Sequence, residues 1–166
     1  MKRMAYFIAT VGGAGYLRPA PGTWGSFAAL PMAWALHMIG GFWLLLAATV
    51  LAALVGIWAT RIVTADTGVE DPSEVVIDEV AGQFIALFPL SYAASNHDLS
   101  VLALWPGWVA GFVLFRLFDI TKPGPIGWAD RRGDAEGVML DDLIAGVFAA
   151  ICVIVLAGVW HGMLGK

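Results

Sequence analysis

Four long stretches of the chain carry no Asp, Glu, Lys or Arg, and the charged residues gather between them. The uncharged stretches cover residues 19–60, 80–97, 99–115 and 143–165. A helix needs about 20 apolar residues to cross the roughly 30 Å hydrocarbon core of a membrane. The last stretch has this length by itself, and the others reach it once a flanking residue or two is counted. The pattern therefore predicts several membrane-spanning helices.

The first stretch is too long for one span, and Gly40–Gly41 is the obvious place for a break. Pro89 and Pro106 should kink or shorten two later helices. We therefore expect an all-α integral membrane bundle of about five transmembrane or partly buried helices, forming one domain over residues 1–166. The expected helices are 26–39, 42–60, 80–94, 100–118 and 143–163. The N-terminal segment either packs as a short helix in the bundle or lies along the membrane interface.

Composition supports a membrane protein and excludes other classes. The chain is 60% hydrophobic and 13% charged, whereas soluble domains are about 45–50% apolar and about 25% charged. The same figures exclude disorder. The single cysteine, Cys152, excludes an intramolecular disulfide framework and a Cys-rich zinc site. A net charge of −4 leaves no basic surface for nucleic acid.

The distribution of charge predicts an orientation. Folded as above, the chain brings nearly all its basic residues to one side, which the positive-inside rule makes cytoplasmic; they are Lys2, Arg3, Arg18, Arg61, Arg116, Lys122, Arg131 and Arg132. Only Lys166 falls on the other side. Of the 13 acids, all but Asp98 join the cytoplasmic side. The positive-inside rule considers only Lys and Arg. The clustering of the acids on the same side is therefore independent evidence that this side carries the functional residues.

Two pairs of adjacent acids each stand at the start of an apolar helix. Asp78–Glu79 precede the third predicted helix, and Asp141–Asp142 precede the last. Acids in a first turn can simply interact with the helix dipole, and Asp141 suits an N-cap. One cap explains one aspartate, however, and not adjacent pairs at two helix starts. Metal ligation is the alternative.

Two further segments carry polar groups toward the same side. Arg116, Asp119 and Lys122 are spaced three residues apart and share a helix face, either as ion pairs with basic tails reaching the interface or as an acid flanked by phosphate-binding cations. Pro21-Gly22-Thr23-Trp24-Gly25-Ser26 precedes the first predicted helix. It could offer backbone N–H groups to an anion, although turn chemistry with Ser26 as N-cap explains it equally.

Oxygen ligands on one membrane face favour Mg²⁺ over zinc or copper, and Mg²⁺ usually accompanies phosphate chemistry. A lipid phosphate is then the natural substrate. The three histidines, His37, His97 and His161, are expected on or toward the opposite side, which disfavours a histidine mechanism. The alternatives are another Mg²⁺-dependent lipid headgroup enzyme or a small cation transporter, which would need polar residues at mid-span.

An ordered set of motifs resembles the phosphatidylglycerophosphatase A family across residues 12–146. The set comprises Pro21-Gly22-Thr23-Trp24-Gly25-Ser26, Val76-Ile77-Asp78-Glu79, Phe115-Arg116-Leu117-Phe118-Asp119, Lys122-Pro123-Gly124-Pro125-Ile126, Asp130 and Gly137-Val138-Met139-Leu140-Asp141-Asp142. The resemblance implies a Mg²⁺-dependent enzyme of the bacterial inner membrane, facing the cytoplasm, that hydrolyses phosphatidylglycerophosphate to phosphatidylglycerol and phosphate. The chain departs from the family at Gly124, where Trp is common. It also carries two extra acids, Asp134 and Glu136.

On this basis we assign roles to the charged residues. The expected metal ligands are Asp78, Glu79, Asp119, Asp141 and Asp142. The expected phosphate-binding residues are Arg116 and Lys122, helped by Thr23 and Ser26. Asp130 is either a general acid or an orienting group; with Asp78, Glu79, Asp119 and Asp142 it forms the expected catalytic set. Attack by metal-activated water and attack by an aspartate both remain open.

Overall fold

The computed structural model describes residues 1–97 and 99–164, and these residues form seven α-helices and two short 3-10 helices. The α-helices are α1 (Lys2–Ala9), α2 (Pro21–Thr67), α3 (Ile77–Ala86), α4 (Phe88–His97), α5 (Trp105–Thr121), α6 (Pro125–Asp130) and α7 (Ala135–Leu164). The 3-10 helices are Ala14–Tyr16 and Val101–Leu104. The predicted all-α class is confirmed for this part of the chain. The placements predicted for Asp98 and Lys166 fall outside the described residues.

In the part of the chain that the structure describes, three segments are long and apolar enough to cross a membrane: α2, Val101–Thr121 and Ala135–Met163. Large apolar side chains on them point outward, including Leu54, which is 64% exposed, and Ile154, which is 58% exposed. Such surfaces are costly in water and suit a lipid environment. The bundle therefore has an apolar exterior, as the composition predicted.

α2 is broken at Gly40–Gly41, as predicted. Gly41 has φ +61° and ψ −153°, a combination that a residue with a Cβ rarely adopts. The break leaves the first N–H groups of the following arm without helical partners. The Phe42 N–H donates to the hydroxyl oxygen of Ser95 at 3.1 Å, so α4 caps the second arm at the bend.

Both arms of α2 contact the start of α3. A Cβ built on Gly25, in the first arm, would lie 2.7 Å from the Cβ of Val76. One built on Gly56, in the second arm, would lie 3.2 Å from a methyl of Ile77. The two arms therefore form a hairpin that opens toward α3.

The first arm begins earlier than predicted, at Pro21 instead of residue 26. Proline is favoured in the first helical turn, where no N–H is needed. The segment expected to be a turn ahead of the helix is thus helical, and the Ser26 N-cap is wrong. The Ser26 hydroxyl instead donates to the Gly22 carbonyl oxygen at 2.9 Å.

The predicted span 80–94 is two helices, α3 and α4, separated at Leu87. Pro89 accounts for the interruption, because its ring has no N–H and clashes with the preceding turn. α3 lies at the centre of the molecule: eight of its ten residues are buried, among them Val80 and Phe84. The interruption lets a short central helix carry polar residues at its first turn.

α5 and α7 begin at different residues from those predicted. The helix predicted from residue 100 begins at Trp105, so it is shortened, as one of the two alternatives for Pro106 predicted. Pro106 lies in its first turn, and the chain before it forms the 3-10 helix. α7 begins at Ala135 rather than 143, because Asp134 accepts the Gly137 N–H at 2.6 Å and caps the helix. Asp141 is therefore within α7, and its predicted N-cap position is wrong.

The N-terminal segment contains α1, which packs against α2 through the buried Ala5 and Ala9. Lys2 forms an ion pair with Asp66 near the end of α2, and the Tyr6 hydroxyl donates to the same carboxylate at 3.1 Å. These contacts place α1 in the bundle, the first of the two alternatives.

Candidate active site

A cavity of about 360 Å³ lies between the starts of α2, α3 and α7 and the end of α5. We call it the acidic pocket. Its charged lining residues are Glu70, Asp71, Asp78, Glu79, Arg116, Asp119, Lys122, Asp130, Asp141 and Asp142. Residues far apart in the sequence thus meet at one end of the bundle. The pocket contains all five acids predicted as metal ligands and both predicted phosphate-binding cations.

Within residues 1–97 and 99–164, the acids of the pocket form two groups that share one member. In the first group, which we call the α3 triad, carboxylate oxygens of Asp78, Glu79 and Asp142 lie within 4.8 Å of one another. In the second, the α5 triad, oxygens of Asp119, Asp141 and Asp142 meet the same limit. Asp142 therefore stands between the two triads.

A close crossing of α3 and α7 brings the α3 triad together. A Cβ on Gly82 would lie 2.5 Å from the carbonyl oxygen of Asp142, and one on Gly146 would lie 2.3 Å from the carbonyl oxygen of Gly82. Real Cβ atoms do not approach so closely, so these two glycines allow backbone contact between the helices. The contact lies one turn below Asp78, so the first turn of α3 faces Asp142.

Asp141 and Asp142 lie about two turns into α7, where the helix fixes their directions. Successive residues of an α-helix differ by about 100° around its axis. Asp142 joins Asp78 and Glu79, whereas Asp141 accepts a hydrogen bond from Lys122 Nζ at 2.8 Å. The adjacent residues Asp141 and Asp142 therefore contact different sides of the pocket.

Two basic side chains are held by the acids of the α5 triad. Arg116 forms an ion pair with Asp119 one turn further along α5 and lies 3.5 Å from the hydroxyl oxygen of Ser26. Lys122 forms ion pairs with Asp130 and Asp141. Both cations line the pocket, so a bound anion could take over their hydrogen bonds.

Burial changes the acid–base properties of the first turn of α3, which is outside the three candidate spans. Burial raises the pKa of Asp78 well above its usual value, and the neighbouring Glu79 raises it further. Burial likewise raises the pKa of Glu79 to about 8. A divalent cation would reverse this effect, because it stabilises the ionised carboxylates.

Lys122 shows the opposite balance of burial and charge. Burial alone would lower the pKa of its ammonium group, but the hydrogen bonds to Asp130 and Asp141 outweigh burial and raise the pKa. The side chain therefore stays charged at neutral pH.

Among the described residues, three side chains near the pocket have buried polar atoms without hydrogen-bond partners: Glu79 Oε2, Arg116 Nε, and both amide atoms of Gln83. Buried polar groups nearly always have partners in folded proteins. Glu79 and Arg116 line the pocket, so their free atoms mark places where a bound ion or substrate would complete the bonding. Gln83 follows Glu79 by one turn of α3 and is fully buried.

Four other residues from the sequence analysis lie apart from the lining. Thr23 is not among the lining residues, and Ser26 is fully buried beneath Arg116. Asp134 pairs with Arg132 at 3.0 Å. Glu136 pairs with Arg61. The two extra acids thus form ion pairs outside the pocket.

Glu70 and Asp71 also line the pocket, although neither was predicted as a site residue. They lie in the loop between α2 and α3, and a Cβ on Gly133 would lie 2.8 Å from Glu70 Oε2, so this loop meets the turn before α7. Burial raises the pKa of Asp71, while nearby Lys122 lowers it. The sequence did place both acids on the same predicted side as the other site residues. Neither adjoins the start of a predicted helix, however, so they were not singled out.

Comparisons with known proteins agree with the motif resemblance. The family model described as phosphatidylglycerophosphatase A matches residues 7–157. A Haemophilus influenzae protein of that name is 38% identical over 149 residues, covering 89% of this chain and 85% of its own. An Escherichia coli protein of that name is 35% identical over 146 residues, covering 87% of this chain and 78% of its own.

A third relative carries a different name. The Bacteroides thetaiotaomicron protein named "Putative phosphatidylinositol-3-phosphatase" is 36% identical over 163 residues, covering 93% of this chain and 96% of its own. No solved structure matches the chain. The family model covers most of the chain, and the two relatives bearing the family name each align over more than four fifths of it. The chain therefore belongs to the phosphatidylglycerophosphatase A family of phosphatases.

Proposed function

We propose that this protein is a Mg²⁺-dependent phosphatase of a bacterial inner membrane that hydrolyses phosphatidylglycerophosphate to phosphatidylglycerol and phosphate. The observation that carries the proposal is the acidic pocket, where two carboxylate triads lie beside Arg116 and Lys122 at one end of an apolar bundle. The pocket has the chemistry for a phosphate group. The names of two relatives supply the lipid.

The residues of the pocket fit a Mg²⁺ ion. The α3 and α5 triads offer only carboxylate oxygens, which are the ligands that Mg²⁺ prefers. Glu79 Oε2 is buried without a hydrogen-bond partner, so a cation would supply the interaction that it lacks. We therefore expect Asp78, Glu79, Asp119, Asp141 and Asp142 to hold the ion or ions. When bound, such an ion supplies positive charge toward the phosphoryl oxygens and lowers the pKa of water in contact with it.

The basic residues would bind and orient the phosphate. Arg116 offers a planar set of N–H donors that matches two phosphate oxygens, and Lys122 offers a compact positive charge. Asp119 and Asp141 hold these cations in the pocket before substrate binds. Ser26 supports Arg116 from below through the 3.5 Å contact. The chain therefore presents an organised anion-binding site.

Asp130 is suited to proton transfer to the leaving oxygen. It is 39% exposed by its side chain and pairs with Lys122, so it stands at the mouth of the pocket beside a phosphate-binding group. In this role it would protonate the glycerol oxygen as the phosphate leaves. Asp130→Asn should then slow hydrolysis of a lipid with a basic leaving oxygen more than that of a phenyl phosphate.

The attacking group is either water or an aspartate of the pocket. Attack by an aspartate would leave an acyl phosphate, which borohydride reduces to homoserine. Acid quench of a single turnover followed by borohydride treatment and mass spectrometry distinguishes the two. Homoserine at position 78, 119, 141 or 142 would establish the aspartate route, and its absence at full turnover would establish attack by water.

The test of function is phosphate release by the purified protein in mixed micelles. We expect release from phosphatidylglycerophosphate, loss of activity with a chelator and recovery with Mg²⁺. Glycerol 3-phosphate, which offers the same phosphomonoester without acyl chains, should be a much poorer substrate. Equal rates on both would contradict a lipid phosphatase, and unchanged rates with chelator would contradict metal dependence.

A second candidate substrate is phosphatidylinositol 3-phosphate, favoured by the name of the third relative. It presents a phosphomonoester on a lipid headgroup, so the same pocket chemistry applies. The two lipids should be compared at equal surface concentration. A higher kcat/KM for the inositol lipid would replace the proposed substrate and leave the pocket assignment in place.

The orientation can be tested by labelling engineered cysteines in a Cys152→Ala background. Arg3 is exposed near the pocket end of the bundle, and the polar Asn96 is exposed beside Ser95, which contacts the bend of α2. A membrane-impermeant maleimide should label Arg3→Cys in inverted vesicles and Asn96→Cys in intact spheroplasts. The reverse pattern would place the pocket on the outer face.

A further inference from the structure

The two triads differ in how their charge is balanced. Within residues 1–97 and 99–164, the ion pairs of the pocket involve Asp119, Asp130 and Asp141 but not the carboxylates of the α3 triad. The α3 triad therefore brings together three acids with no basic nitrogen within 4.0 Å. Asp78 is 5% exposed and Asp142 is 3% exposed. Buried carboxylates at such separations cannot all be ionised without a compensating cation.

The α5 triad already has its cations. Asp119 pairs with Arg116, and Asp141 pairs with Lys122. Of its three members, only the shared Asp142 lacks a basic partner. A divalent cation entering this triad would meet two positive side chains at close range, and their repulsion opposes its binding.

A phosphate group changes that balance. Arg116 and Lys122 line the pocket and both form strong charge-assisted hydrogen bonds with phosphate oxygens. If they turn to a bound phosphate, the carboxylates of Asp119 and Asp141 lose their partners. Those two acids, with Asp142, then present the same uncompensated oxygen set as the α3 triad.

We propose that the α3 triad binds a divalent cation in the absence of substrate, and that the α5 triad binds a second one only together with a phosphate group. This inference rests on the proposed function, since it assumes that the pocket receives a phosphomonoester. By thermodynamic reciprocity, the second cation and the phosphate strengthen each other's binding by the same factor. Because Asp142 belongs to both triads, two cations held by them would be neighbours.

Mn²⁺ binding tests the proposal without an assay of hydrolysis. The full-length protein in detergent is titrated with MnCl₂, with and without inorganic phosphate at a concentration that keeps manganese phosphate in solution. Free Mn²⁺ is measured by electron paramagnetic resonance. We expect one tightly bound Mn²⁺ per chain without phosphate and two with phosphate, the second accompanied by the spin-coupled spectrum of neighbouring ions. One ion under both conditions, two under both, or none without phosphate would each overturn the proposal.

A substitution isolates the role of the basic partner. Lys122→Gln removes the ammonium that neutralises Asp141, so the second Mn²⁺ should bind at least about tenfold more tightly without phosphate. Lys2→Gln is the matched control, because it also breaks a lysine–aspartate pair at this end of the bundle, with Asp66, but lies outside the pocket. Unchanged affinity of the second ion in Lys122→Gln would contradict the charge argument.

The two proposals fail separately. If phosphatidylglycerophosphate is not hydrolysed while phosphate still raises the Mn²⁺ count from one to two, the proposed function is wrong and the coupling stands. If the lipid is hydrolysed and the count does not change, the coupling is wrong and the function stands.

Discussion

Gly82 of α3 and Asp142 of α7 are in direct backbone contact: a Cβ on Gly82 would lie 2.5 Å from the carbonyl oxygen of Asp142. The same Cβ would lie 2.5 Å from the ring of the buried Phe115. The contact atom of Asp142 belongs to the backbone, so it cannot move aside as the end of a flexible side chain could. The separation of α3 from α7, and with it the geometry of the α3 triad, therefore depends on the absence of a side chain at position 82.

Replacing Gly82 by alanine should separate the two helices and disturb the α3 triad. A displacement of about 1 Å at reacting groups can reduce rates by roughly 100-fold, so we expect a loss of kcat approaching that size together with weaker Mn²⁺ binding. Gly158→Ala in α7 is the control, because a Cβ there meets nothing within 4 Å. Equal activity of the two variants would show that the close crossing does not position the acids.

Asp142→Asn should affect both triads at once. We expect phosphate release to fall by at least about 100-fold, the upper end of the effect seen for residues that merely orient a metal ligand. Glu136→Gln serves as the comparison, since Glu136 is also an acid of α7 but pairs with Arg61 outside the pocket. Its activity should stay within about twofold of the parent. A folded Asp142→Asn protein with near-normal turnover would remove Asp142 from the site.

Arg116→Lys should weaken substrate binding while keeping the charge. A lysine cannot reproduce the planar donors that face Asp119 and Ser26, and one lost charge-assisted hydrogen bond corresponds to a rise in KM of about tenfold. The corresponding Arg132→Lys, at an exposed pair with Asp134, should leave KM unchanged. A KM as low as that of the parent enzyme would mean that Arg116 serves only to hold Asp119.

The metal-free protein should become less stable as the pH rises from about 4.5 to about 8. The folded protein retains the Glu79 proton up to a pKa of about 8, whereas the unfolded chain loses it near the ordinary value of 4.5. The folded state thus binds more protons in this interval, so its stability decreases with rising pH. Melting temperatures in detergent with a chelator should fall by several degrees across the interval, and Glu79→Gln should flatten the decline.

Mg²⁺ should reverse that trend, because the cation competes with the proton for the same carboxylates. The increase in melting temperature on adding Mg²⁺ should therefore be larger at pH 8 than at pH 5. A Mg²⁺ effect that is the same at both values, or larger at pH 5, would show that the cation does not bind to Glu79.

The sequence allowed the convergence of the acids to be predicted, because charge is rare and each pair adjoins a long apolar stretch. Counting the predicted crossings assigned Asp78 and Asp142 to the same end of the bundle, where the structure places them. The break at Gly40–Gly41 was predictable for a related reason, since a stretch too long for one span must turn where the backbone allows it. Hydrophobic length therefore predicted the bend of α2, but it did not predict that residues 80–94 form two short helices.

Hydrophobic length could not predict where the helices begin or which loop residues line the pocket. Hydropathy marks where a helix becomes apolar, not where it begins, so the polar first turns of α7 from Ala135 were missed. Asp71 lies in a loop, where no periodicity indicates direction. The ion pairs of Lys122 with Asp130 and Asp141 depend on tertiary geometry that spacing does not specify.

The position at which α7 begins determines the directions of Asp141 and Asp142 around the helix axis. Because α7 is continuous from Ala135, deleting one residue between 135 and 141 would rotate Asp141 and Asp142 by about 100° relative to the cap at Asp134. The pocket and the Asp134 cap could not then both keep their present partners. Insertions and deletions in related chains should accordingly be tolerated in the loop before α7 and excluded from residues 135–142. The length of this segment therefore fixes the direction in which Asp141 and Asp142 face the pocket.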